Sequence, residues 1–290
     1  MSANARKRIW RLVAVSGVTV AGAVLSAPAG AVLSAPAGAV APQRPQLAPV
    51  SHPQDDHAGS TIAAHEGQPS VTAAVARSTA WRVRGLDVSH WQGDISWPAV
   101  YSNGGRFVYI KATESTTFTD PNFSRNYTRS AAAGLVRGAY HFALPDRSSG
   151  GSQADYLVNH GGGWSADGKT LPPMLDIEYN PYGPTCYGLS AKRMVIWIQT
   201  FSNRVHNRTG RYPTIYTTTD WWATCTGNDP SLGGTNPLFI ARWSSTVGAL
   251  PAGWASYTIW QYADSGALPG DQDRFNGSLS KLRTFASSGL

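Results

Sequence analysis

From residue 81 to the end, short apolar runs alternate with amphipathic ones. Eight of them read as strands: 84–91 (RGLDVSHW), 106–114 (RFVYIKATE), 136–144 (VRGAYHFAL), 172–179 (PPMLDIEY), 212–219, 237–243, 257–263 and a short one at 271–275 (DQDRF). Between the early strands lie helical stretches. Residues 97–103 are entered through Pro98 and stopped by Gly104 and Gly105, 122–133 close at Gly134, and 152–160 close at Gly161 to Gly163. The longest helix is predicted at 190–210, with Ser190 as N-cap and Gly210 as the stop. Its Met194, Ile198, Phe201 and Val205 recur at helical spacing, which marks a core face. Strands that alternate with helices and then continue with thin connections predict an α/β fold. The specific expectation is a TIM-like β/α barrel, irregular on its later side, with a doubly wound open sheet as the alternative.

The chain before residue 81 has a different texture. Arg6, Lys7, Arg8 and Arg11 precede the apolar run LVAVSGVTVAGAVL and small-residue sites such as Ala29-Gly30-Ala31 and Ala35-Pro36-Ala37. This is the pattern of a signal peptide over residues 1–40, so the expected location is extracellular. The run is short for a membrane span and carries Pro28 and Pro36, so no stable membrane association is expected. Residues 41–80 are rich in Pro, Gln, Ala and Ser, show no sustained period and read as a disordered propeptide or linker. His52, His57 and His65 in that stretch read as polar filler rather than a metal site. Residues 81–290 are then the folded domain. Cys186 and Cys225 are the only cysteines, and in an exported chain they pair most simply as a disulfide.

Composition changes this picture little. Without the four basic residues near the start, the net charge falls from +7 to +3, and no Lys/Arg-rich run marks a nucleic-acid site. Eleven Trp and twelve Tyr are many, as grooves that hold ring-shaped ligands require, although core packing uses them too.

The candidate chemistry is carboxylate chemistry. Asp176 and Glu178 are two residues apart at the end of an apolar strand, so they share a face. Asp87 ends the first strand, and Asp273 belongs to the last, which neighbours the first in a closed barrel. Active sites of such barrels lie at the strand ends. Four carboxylates in one cavity, with no metal-type histidine among them, suit acid/base work on a neutral substrate without metal or cofactor. Glycosidic hydrolysis needs a proton donor and a group that stabilises an oxocarbenium-like charge. Crowding by other acids raises a carboxyl pKa, and Glu178 has the longer reach. Glu178 is therefore the predicted acid and Asp176 the group that stays ionised or orients an N-acetyl group. Candidate substrate-binding residues are Tyr140, Lys111, Tyr216, Trp260, Trp243 and His141; the alternative for Tyr216, Trp260, Trp243 and His141 is a place in the core, and for Lys111 a side chain that reaches out to solvent.

Seven blocks in order carry a resemblance: GLDVSHWQGDISW, FVYIKATEST, GLVRGAYHFA, MLDIEYN, YPTIYTT, IARW and IWQYADSGALPGDQDRFNG. They resemble the Chalaropsis-type lysozymes, glycoside hydrolase family 25, over residues 84 to about 285. The resemblance implies five β/α units followed by three further strands. It also implies hydrolysis of the β-1,4 bond between N-acetylmuramic acid and N-acetylglucosamine in peptidoglycan. Glu178 would be the acid, with Asp176, Asp87 and Asp273 as further site acids. The sequence departs from the pattern at ATEST, where ATEG is commoner. The implied partner is the peptidoglycan glycan strand, met by a monomer. Rival readings are a chitinase-like glycosidase, against which Leu171 and Met174 break the acidic pattern, and a non-catalytic wall-binding module.

Overall fold

The computed structural model describes residues 57–67 and 83–288, which fall within one compact unit, Leu47–Leu290. The predicted signal peptide and the remainder of the 41–80 stretch lie outside the described residues. A closed barrel of eight strands forms from β1 (Val83–Val88), β2 (Gly105–Glu114), β4 (Val136–Phe142), β5 (Met174–Asp176), β6 (Thr214–Thr217), β7 (Leu238–Ala241), β8 (Ile259–Ala263) and β9 (Asp271–Phe275). A two-residue β3 (Phe118–Thr119) folds back on the end of β2. Neighbours from β1 through β8 run parallel, whereas β9 runs antiparallel to both β8 and β1 and closes the ring. Closure excludes the doubly wound alternative.

The helices complete the irregular plan. After β1 comes α2 (Trp97–Ser102), after β2 and β3 comes α3 (Phe123–Ala132), and after β4 comes α4 (Gly150–Asn159). Then α5 (Ala191–Thr209) follows β5, and α6 (Thr219–Thr226) follows β6. No helix joins β7 to β8 or β8 to β9, and α7 (Leu279–Ser287) ends the chain. That is five β/α units and three further strands. The α6 and α7 helices escape sequence reading because α6 is an aromatic-rich eight-residue run and α7 follows the last strand. No helix among the described residues is long and apolar enough to cross a membrane.

Strand alternation sorts side chains into two cores. Leu86, Val108, Ile110, Leu175, Ile215 and Ile240 point out to the helices, where Met194, Ile198, Phe201 and Val205 of α5 meet them. Val83, Phe107, Tyr109, Tyr140, Met174, Tyr216, Phe239 and Phe275 point into the barrel. Aromatics fit there because two strand positions are glycine. A Cβ on Gly85 would lie 2.3 Å from the Phe107 ring, and one on Gly138 would lie 2.5 Å from Tyr109. Leu282, Phe285 and Ala286 of α7 seal the barrel floor. The disulfide Cys186–Cys225 ties the loop after β5 to α6.

The expectation of disorder fails at residues 57–67. They form a turn and a short helix, α1 (Ile62–Glu66), with Ala58 and Ile62 buried in the inner core. A five-residue helix has no independent stability. Its order comes from surface that lies far away in sequence, so no local period announces it.

Candidate active site

β5 is short. Its last residue is Asp176, and Glu178 stands two positions further along the chain. Both side chains turn into the barrel mouth, each 1% exposed, with Asp87 at 2%. On β9 the antiparallel direction decides which acid stands where. Asp271 pairs with Asp87 at the mouth, and Asp273 pairs with Gly85 one layer deeper. Asp271 is a site residue that the sequence reading missed. The signal was present, since Asp271 and Asp273 share a face by strand parity.

One amide organises this wall. Gln261 on β8 donates through Nε2 to Asp87 at 2.9 Å and to Asp271 at 2.8 Å. Its Oε1 accepts from the Tyr216 hydroxyl at 2.9 Å and from Trp243 Nε1 at 2.9 Å. Gln261 was also missed, while its neighbour Trp260 was proposed. Trp260 points outward, donates to the Arg242 carbonyl at 2.8 Å and packs among Tyr257 and Tyr262. His141 likewise faces away from Tyr140. It bonds Thr113 at 2.8 Å and Gln153 at 2.9 Å, and burial lowers its pKa to about 4, so it is neutral. The structure brings Tyr140, Tyr216 and Trp243 to the mouth but neither His141 nor Trp260.

The electrostatics follow from crowding acids in a dry place. Burial raises the Glu178 pKa to about 8, and that of Asp87 to about 7 against the hydrogen bond from Gln261. Asp176 is pushed well above the carboxylate range by burial and then by the Glu178 and Asp87 charges. Asp271 and Asp273 are raised by burial and by Asp87. Lys111 lowers Asp176 only through space, because its ammonium is held by Glu114 at 2.6 Å. Glu114 in turn accepts from the Tyr182 hydroxyl at 2.8 Å. Among the described residues no cluster of His, Cys, Asp and Glu is arranged to hold a metal ion.

Residues 57–67 lie across this mouth. The Gly59 N–H donates to Glu178 Oε1 at 2.6 Å, and the Thr61 hydroxyl lies 3.4 Å from Oε2. Burial outweighs these two donors, which lower the Glu178 pKa, and leaves it at about 8. Among the described residues the two oxygens of Asp176 have no hydrogen-bond partner beyond the neighbouring Glu178 carboxyl. Beyond Glu178, Tyr179 stacks on His65 with ring centroids 4.0 Å apart, and its hydroxyl lies 2.8 Å from Glu66 and 2.9 Å from Asp220.

Residues 86–271 match the family model of Glycosyl hydrolases family 25. The chain is 48% identical over 209 residues to an N,O-diacetylmuramidase of Chalaropsis sp, covering 71% of this chain and 99% of that one. It is 48% identical over 211 residues to lysozyme M1 of Streptomyces globisporus, covering 71% of this chain and 72% of that protein. The solved structure of a family GH25 lysozyme from Aspergillus fumigatus superposes with a TM-score of 0.70 at 50% identity, covering 71% of this chain and all of that one. An acid-lined mouth on a barrel of five β/α units and three further strands, together with these matches, places the chain in glycoside hydrolase family 25.

Proposed function

We propose that the protein cleaves the β-1,4 bond between N-acetylmuramic acid and N-acetylglucosamine in peptidoglycan, with Glu178 as general acid. One observation carries this reading: Glu178, held at about 8 by burial, stands beside Asp176 in a buried mouth lined by acids. A carboxyl with that pKa is protonated at neutral pH and able to protonate the leaving oxygen. Asp176 offers an acceptor for an acetamido N–H, and that donor favours its ionised form, whose charge balances an oxocarbenium-like centre. Beyond burial, Asp87 raises the pKa of both Glu178 and Asp176 when it is charged, and Asp271 and Asp273 stand beside it. Tyr140, Tyr216 and Trp243 supply contacts to the sugars. Lys111 sets the charge felt by Asp176, while His141 and Trp260 serve the outer core. The leader at 1–40 directs secretion, residues 81–290 are the catalytic domain, and the enzyme works as a monomer on glycan strands. Names of relatives point the same way, since they are called muramidases and lysozymes.

The test is turbidity loss of purified bacterial walls, with the new sugar ends identified, for the processed secreted form of wild type beside that of Glu178→Gln. Wild type liberates muramic-acid reducing ends, and the variant is slower by about 10²- to 10⁴-fold, the range for loss of a general acid. N-acetylglucosamine ends instead would overturn the bond assignment. Adherence to walls without any sugar release, by both proteins, would replace the enzyme with a binding module.

A further inference from the structure

A polymer must reach Glu178, yet Glu178, Asp176 and Asp87 are 1–2% exposed. Residues 57–67 are what covers them, and the fit is close. Ala58 and Ile62, 0% and 1% exposed, complete the inner apolar cluster beside Tyr140 and Tyr216. Gly59 has φ +86°, and a Cβ there would lie 3.1 Å from each of Gln261 Oε1, the Trp243 ring and the Tyr216 hydroxyl. A side chain at this position would be strained by the backbone conformation and would crowd all three neighbours. His65 lies flat on Tyr179, 6° from parallel, as a sugar ring lies on an aromatic platform. Thr61 adds a contact at 3.4 Å to the Tyr179 carbonyl.

We propose that residues 57–67 are a built-in inhibitor, seated in the glycan-binding cleft, that keeps the enzyme inactive until an endopeptidase cuts the chain between this segment and the barrel. The cut breaks one peptide bond between residues 67 and 83 with the addition of one water. Arg77 and Arg82 fall in that interval. The block has two parts. Gly59 and Ile62 fill space a sugar must enter. The Gly59 N–H and the Thr61 hydroxyl occupy both oxygens of Glu178, one of which must be free to meet the leaving oxygen of the sugar. Displacing the segment removes those contacts and opens Glu178 to the glycan. What the cleft excludes rests on the muramidase reading; that the cleft is filled by this segment does not.

The experiment uses the full chain in three forms: wild type, Gly59→Glu and Ile62→Asp. Gly59→Glu brings a bulky anion to a site with no room beside Glu178, and Ile62→Asp removes the apolar anchor. Neither residue belongs to the catalytic machinery. Three quantities are read: hydrogen exchange at the backbone amide of position 59, affinity for a soluble N-acetylglucosamine tetrasaccharide, and the rate of wall clearing. The amide is protected in wild type and exchanges freely in both variants. Each variant, and wild type nicked by trypsin between 67 and 83, clears walls at least about 10-fold faster than the intact wild type, equivalent to about 1.4 kcal/mol. Measurable and equal clearing by all forms, or an unprotected Gly59 amide in wild type, overturns the proposal. If no form clears walls, tetrasaccharide binding decides. Tighter binding by the variants upholds the inhibitor and discards the muramidase, and equal binding discards the inhibitor.

Discussion

Both ends of the barrel are closed, by segments from opposite ends of the chain, and they are closed by different chemistry. At the floor, α7 lays Leu282, Phe285 and Ala286 against the inner aromatics, with Phe275 and Phe285 centroids 6.0 Å apart. At the mouth, residues 57–67 bring two buried apolar side chains and place a backbone N–H on Glu178. Apolar burial is non-directional and has no competitor but water. A hydrogen bond to an acid, by contrast, can be exchanged for one from another ligand at small net change. The floor is therefore part of the fold, and the mouth is a site with an occupant.

The sharpest way to separate the two ends is to damage the floor. Phe285→Ala is expected to cost about 3–5 kcal/mol of stability in urea unfolding and to leave the clearing rate per folded molecule unchanged. Faster clearing by this variant would mean that the two closures are coupled.

Next in size is a pH effect confined to the mouth. The folded pKa values of Glu178 (about 8) and Asp87 (about 7) lie above the ordinary 4.5 and 3.8. The folded state thus binds more protons between about pH 4 and 8, and stability falls as pH rises through that window. The expected loss from about pH 6 to 8 is of order 3–4 kcal/mol, read as a falling melting temperature. Asp87→Asn and Glu178→Gln should each flatten the slope, as should the nicked protein, in which water reaches the acids. A slope unaffected by either substitution would place the responsible groups elsewhere.

The smallest effect compares two aromatics on opposite sides of the sheet. Tyr216→Phe loses the bond to Gln261 and is expected to raise KM about 5-fold, the worth of about 1 kcal/mol. Trp260→Phe should leave KM within about 2-fold and lower stability by about 1 kcal/mol through its lost bond to the Arg242 carbonyl. Equal KM values for the two would deny the mouth its role in binding sugar.

Strand parity was legible in the sequence, and with it the inner and outer cores and the shared face of Asp176 and Glu178. Parity also implied what the residue-by-residue reading passed over. Tyr140 and His141 are adjacent, as are Trp260 and Gln261, so only one of each pair can face the mouth. Composition drew the choice toward the tryptophan, whereas the amide is the site residue. Asp271 was missed for another reason. The reversed direction of β9 makes its first residue the one at the mouth, and direction is a property of pairing, not of a single run. Residues 57–67 were least legible of all, because a five-residue helix is specified by a surface more than a hundred residues away, as the separation of 119 between Gly59 and Glu178 shows.

That separation lies within one polypeptide, and this fixes a ratio. An inhibitor made as a second protein must be matched to its enzyme in amount and timing, and any shortfall leaves active molecules. Here each catalytic domain is synthesised with one copy of its occupant already attached, made before the barrel itself. Reclosure is unimolecular, so dilution leaves an intact molecule closed. Only after the chain is cut does the occupant become a ligand that concentration can remove.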